Sequence, residues 1–185
     1  MKPKPYVIDV VDVSDMAGRY WVDCLDGHNT VTIPIGGMSN ALQKMIDLVI
    51  AQTGNRPVIR CLALWGHGLV KADHSPIGIH LIAGGGAAAT QRSALTNATI
   101  LSLGQNFDVL KDCFHSEGRV ELRGCGVAGT IEGLEVMKMI AFRWGVPVQA
   151  AEKNQPTMSW LPPVREVSPM GHVGSTPGID YNLRD

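Results

Sequence analysis

Residues 58 to 65, VIRCLALW, form a run of apolar side chains broken only by Arg60. A run of that length without a polar alternate reads as a strand buried on both faces, and such a strand belongs inside a mainly parallel sheet covered by helices. It ends at Gly66-His67-Gly68, so an interior strand delivers an imidazole flanked by glycines at its carboxyl end.

The rest of the chain offers this strand its neighbours. Residues 6 to 13 are rich in β-branched side chains and read as a first strand. Residues 19 to 25 and 30 to 35 bracket Asp26-Gly27-His28-Asn29, whose chemistry predicts an N-terminal β-hairpin with His28 at its tip. Leu42, Met45, Ile46, Val49 and Ile50 then fall on one helical stripe, with Ser39 or Asn40 to cap its start and Gly54 to end it.

Residues 78 to 83 read as a short strand, and residues 83 to 99 as a long glycine-rich loop. Phe107, Leu110 and Phe114 mark a second helix before Gly118. Residues 120 to 123 form a strand that stops at Gly124-Cys125-Gly126. Thr130 is placed to cap a third helix carrying Leu134, Met137, Ala141 and Trp144, with Gly145 as its stop, and residues 146 to 151 make a last strand.

Alternating strands and helices predict an α/β fold: a three-layer α/β/α sandwich with a mainly parallel sheet flanked by helices, joined by right-handed crossovers. A chain of 185 residues suits one domain of this kind, placed over residues 1 to 152. Residues 153 to 185 are proline-rich and aperiodic, and are expected to pack on the domain as a C-terminal tail or to be partly disordered. Within them, Trp160-Leu161-Pro162-Pro163 suits either a pin that holds the tail on its own domain or an extended segment for a partner's groove.

Sixteen Lys and Arg against seventeen Asp and Glu give a formal net charge of -1, with no basic block, which argues against nucleic acid as a partner. No stretch is apolar enough to predict a membrane span. At the start, MKPKPYVIDVVDV has prolines, Asp9 and Asp12 where a signal peptide needs an apolar core. The expectation is therefore no signal peptide and a cytoplasmic location as synthesised, with specialised export still open.

Cys24, Cys61, Cys113 and Cys125 are widely spaced without a CxxC pair, and are expected to be thiols. Cys24 with His28, His74 with His80, and Cys113 with His115 do not make a dense ligand spacing, so no metal is expected. Gly84-Gly85-Gly86 lacks the Lys and Ser/Thr of a phosphate loop, and no GxSxG elbow occurs; no cofactor is expected.

What remains is a pair. The stretch RVELRGCGVAG, residues 119 to 129, repeats the pattern of a strand ending in a reactive residue between glycines. In open α/β sheets, ligands gather at the carboxyl ends of strands, where His67 and Cys125 both lie. A thiol becomes a nucleophile when a neighbouring base raises its thiolate fraction, and imidazole suits that task near neutral pH. The flanking glycines leave room for a substrate backbone, and the N-H groups of Gly68 and Cys125 are candidates for an oxyanion hole.

This order of elements resembles caspase-like cysteine peptidases (clan CD), the group of caspases, legumains and gingipains, over residues 58 to 152. It is closer to a bacterial branch of that fold, found in large surface and toxin-like proteins, with HG followed by GCxxA. The resemblance implies Cys125 as nucleophile, His67 as general acid and base, Gly68 in the oxyanion hole, and a protein or peptide substrate. It also implies a toxin or effector setting and a regulatory partner or activator. Asp73, His74, Arg123 and Glu152, with the loop of residues 84 to 99, are candidates for substrate binding by position.

Arg123-Gly124-Cys125-Gly126-Val127 departs from the Gln-Ala-Cys-x-Gly of caspases, so aspartate specificity is not implied. Two other readings stay open at this point. One is a non-catalytic module of the same fold that binds a protein partner; the other is acyl transfer through the thiol to a different acceptor.

Overall fold

The structure, a computed structural model, describes residues 6–14, 16–25, 30–36, 40–70, 76–81, 94–155, 160 and 162–176. The chain runs β1 (Tyr6–Asp12), α1 (Met16–Leu25), β2 (Val31–Ile35), α2 (Ala41–Thr53), β3 (Ile59–Trp65), β4 (Gly68–Val70), β5 (Pro76–Leu81) and β6 (Ala94–Leu95). It continues with α3 (Asn97–Leu103), α4 (Gln105–Asp108), a 3-10 turn over Val109–Cys113, β7 (Phe114–Arg123), a second 3-10 turn over Val127–Gly129 and α5 (Ile131–Trp144). β8 (Val148–Ala151), β9 (Val164–Val167) and β10 (Val173–Thr176) complete it.

The main sheet has seven strands in the order β10-β9-β8-β7-β3-β1-β2, and helices flank it as a three-layer α/β/α sandwich. β2, β1, β3, β7 and β8 are parallel to one another, and β9 and β10 add antiparallel pairings at the edge. The apolar run that ends at Gly66 is thus the strand between β1 and β7, as a strand without a polar face requires.

The expected N-terminal hairpin is corrected. Residues 16 to 25 are helix α1, and β2 lies parallel to β1, so the link between them is a crossover and not a turn. Trp21, Val22 and Leu25 face the sheet together, the spacing of one side of a helix. Gly18 allows the helix to sit down on the strand before it, because a Cβ there would lie 1.6 Å from the Asp12 carbonyl oxygen. His28, with residues 26 to 29, lies outside the described residues.

Alternate residues of the strands build two different layers. Ile8, Val10, Leu62, Leu64, Val120, Leu122, Val148 and Ala150 face α2, α3, α4 and α5 in one apolar core. Val11, Cys61, Ala63 and Trp65 face α1 on the other side, and Asp9, Glu121, Arg123 and Gln149 are buried among the strands there. Each large apolar side chain in the first core stabilises the fold by roughly 1.5–3 kcal/mol.

Local chemistry sets the ends of the helices. Thr130 accepts the Gly133 N-H at 3.1 Å to start α5, and Gly145, at φ 71°, ends it. Gly54 ends α2 at φ 61°, while Asn40 precedes that helix without a side-chain capping bond. Part of the expected loop is helical: Thr96 and Thr99 cap each other reciprocally at the start of α3. Residues 82 to 93 of that segment lie outside the described residues.

β4, β5 and β6 form a separate antiparallel sheet, and β5 runs against α5 and the turn over Val127–Gly129. The predicted second helix is shorter than its pattern suggested, since Phe114 already begins β7. The proline-rich segment contributes β9 and β10, so the sheet continues past residue 152. All four cysteines are free thiols.

Candidate active site

β3 and β7 lie side by side in parallel register with Trp65 opposite Arg123. The Gly66 N-H reaches the Arg123 carbonyl at 3.4 Å, the last bond of the ladder. One glycine later on each strand come His67 and Cys125, so the two reactive residues leave neighbouring strands at the same level.

Their main chains interlock. A Cβ on Gly68 would lie 1.8 Å from the Cys125 carbonyl oxygen and 2.9 Å from its nitrogen, a clash with backbone that no rotamer relieves. The second glycine of the GHG corner is therefore required by close approach to the cysteine. Gly126 follows at φ 63°, a left-handed turn that glycine tolerates, and donates its N-H to the Lys153 carbonyl at 3.0 Å. His67, Gly68 and Cys125 are all half-buried.

The His67 ring lies 5.7 Å from the Trp21 ring at 44°, and Trp21 lies 6.0 Å from Trp65. Helix α1 thereby supports the imidazole. The Cys125 Sγ accepts the main-chain N-H of Gln155 at 3.4 Å and faces its carbonyl at 3.9 Å.

Beneath the pair sits a buried ionic group. Glu121 Oε2 accepts Arg123 Nη2 at 2.7 Å and Nε at 3.0 Å, while Oε1 accepts Arg119 Nε at 2.8 Å. The Glu121 and Arg123 side chains are 0% and 3% exposed. The Arg123 guanidinium lies 4.0 Å from the Trp160 ring centroid and 5.4 Å from that of Trp65. The Trp65 indole donates to Asp9 Oδ1 at 2.7 Å.

The expected substrate-binding residues separate. Arg123 is buried at the end of β7, paired with Glu121 and set against the rings of Trp65 and Trp160. Glu152 lines a cavity of about 610 Å3 with Ala128, Thr130, Leu134, Lys153 and Arg165, and it pairs with Arg165. Asp73 and His74 lie outside the described residues. Among the described residues no three metal-ligating side chains come together, and no helix is long and apolar enough to cross a membrane.

Trp21, Glu121 and Gln155 were not expected in the site. Glu121 carried a signal: in RVELR it stands two residues from an arginine on either side, which in a strand puts all three on one face. Trp21 was hidden by the mistaken hairpin. Gln155 acts through its main chain, which no side-chain pattern announces.

The fold and the site together define a mainly parallel α/β sandwich with a histidine and a cysteine at adjoining strand ends. No family model matches the chain, and no curated protein or solved structure does so.

Proposed function

We propose that this protein is a caspase-like cysteine peptidase in which Cys125 is the nucleophile and His67 its general base and acid. The observation that carries this reading is the interlock of Gly68 with the Cys125 peptide, at the carboxyl ends of two strands in register.

In the proposed reaction His67 takes the Cys125 proton and Sγ bonds to the substrate's carbonyl carbon. The amine then leaves with the proton from the imidazolium. Water, deprotonated by His67, hydrolyses the thioester and returns the thiol. Trp21 is a positioning residue, packed on the imidazole. The cavity beside Glu152 and Arg165, next to the turn that follows Cys125, suits a substrate side chain. An effector setting and a regulatory partner belong to the same proposal.

The test is cleavage of a diverse peptide mixture, read by mass spectrometry, beside Cys125→Ala and His67→Ala. Cleavage by the parent protein that falls by about 10³-fold or more in both variants is the expected result. Cleavage that survives either substitution would overturn the dyad.

A second reading has one observation of its own. The Gln155 main chain lies on the thiol, which suits a non-catalytic module in which Cys125 is a packed side chain. That module would bind a protein partner equally well as Cys125→Ala.

A further inference from the structure

Two large apolar side chains close to the site stand in water. Ile131, at the start of α5, is 77% exposed, and Val173, at the start of β10, is 44% exposed. Taken singly, such residues need no explanation. These two come from distant segments and line one cavity of about 610 Å3, together with Ala128 and Leu134. A volume of that order suits a ligand the size of a short peptide.

The cavity belongs to the same edge of the sheet as Cys125. Its turn over Val127–Gly129 begins two residues after the cysteine, and another wall begins where β8 ends, at Glu152 and Lys153. The Gly126 N-H bonds the Lys153 carbonyl at 3.0 Å and ties the two walls together next to Cys125. Open α/β sheets gather ligands at the carboxyl ends of their parallel strands, and β7 and β8 both end here.

The polar groups of the walls are already engaged. Glu152 pairs with Arg165, and the Thr130 hydroxyl accepts the Gly133 N-H at 3.1 Å. Lys153 is exposed, and an ion in water gains little from a second one. A charged side chain entering the cavity would give up its own water or displace one partner of the Glu152 pair. An apolar one would cover Ile131 and Val173 and release water from both surfaces.

We propose that this cavity is a subsite for a large apolar side chain, such as leucine, in a peptide whose neighbouring bond is presented to Cys125. The proposal rests on the reading of the protein as a peptidase, and gives that peptidase an apolar preference instead of an acidic or basic one.

The experiment titrates the full chain, labelled with 15N and carrying Cys125→Ala to prevent turnover, with capped tripeptides that differ only in a central leucine, glycine, aspartate or lysine. The readout is the amide shifts of residues 128 to 134 and of Val173. The leucine peptide is expected to act at about tenfold lower concentration than the glycine peptide, and the aspartate and lysine peptides to behave like the glycine one. Ile131→Asp, which places a carboxylate at a helix start that favours it, and Val173→Ser, on the β10 side, are each expected to abolish the preference while thermal unfolding stays cooperative. Should one variant unfold, the other decides.

No shift at these residues, equal binding of all the peptides, or tighter binding of the aspartate or lysine peptide would overturn the subsite. So would a leucine preference that survives in a folded variant. A dimer in sedimentation that either variant dissociates would overturn it too, because the apolar walls would then be a contact between copies. Cleavage of a peptide mixture by the parent protein separates the two proposals. Leucine-selective binding without cleavage keeps the subsite and removes the peptidase, whereas cleavage without leucine-selective binding keeps the peptidase and removes the subsite.

Discussion

The two faces of the central sheet come from alternate residues of the same strands. On the side of α2 and α5, Leu62, Leu64, Val120 and Leu122 pack into one cluster of apolar side chains. On the side of α1, Cys61, Ala63 and Trp65 share their layer with Asp9, Glu121 and Arg123. The first face holds the fold by volume and area, which many combinations of apolar side chains satisfy. Charge partners hold the second, and each must meet a particular neighbour. That face runs up to the edge where His67 and Cys125 emerge, so position there is set by directed bonds.

The largest expected effect is that of Glu121→Ala, which leaves Arg123 buried beside an empty space. A loss of about 3–5 kcal/mol in urea unfolding is expected. Glu121→Leu combined with Arg123→Met should recover most of it, since well-packed apolar replacements of a buried pair are close to neutral. No recovery in the double variant would mean that apolar volume cannot stand in for the directed bonds of the second face, whereas full recovery would narrow the difference between the two faces.

Leu122→Ala, on the first face, should cost about 2–5 kcal/mol by leaving a cavity. It should leave the rate of Cys125 labelling by iodoacetamide under native conditions nearly unchanged. A large rise in that rate would show that the two faces are not separate in effect.

The smallest effect concerns an ion pair outside the sheet. Arg143 binds both carboxylate oxygens of Asp108, at 2.6 and 2.9 Å, and holds that carboxyl below its ordinary value of 3.8. Asp108 is 44% exposed on its side chain, so solvent screening keeps the contribution under about 1 kcal/mol. A folded-state value below the unfolded one stabilises above the unfolded value and is lost as pH falls through the folded value. The stability gap between the parent protein and Asp108→Asn should therefore be present at pH 7 and shrink by pH 3 in thermal unfolding. A gap that widens on acidification would reverse the sign of the pair.

The features that the sequence announced are those with a local chemical cause. The apolar run of β3, the Thr130 cap and Gly145 stop of α5, and the glycine-flanked ends of β3 and β7 are all written in neighbouring residues. α1 was misread because Asp26-Gly27-His28-Asn29 shows that the chain can turn, and not what enters the turn. β9 and β10 escaped notice because VREV and VGST are short, stand among prolines, and become strands through pairing with β8 and with each other. In the candidate site, types and spacing singled out His67 and Cys125, which lie at the ends of neighbouring strands. The roles of Gly68, Gln155 and Trp160 depend on contacts between distant segments, which no periodicity encodes.

The pairing of β3 with β7 also has a bearing on synthesis. β1, β2 and β3 can assemble as soon as residues 6 to 65 have left the ribosome, and His67 then stands at the rim of a sheet whose next strand is not yet made. Cys125 arrives with β7 only after β4, β5, β6 and the intervening helices have emerged. Closing that long loop is the slow, non-local step of such a topology. A nascent chain halted before β7 carries the imidazole without its thiol, and so the two reactive groups meet only when the centre of the sheet is complete.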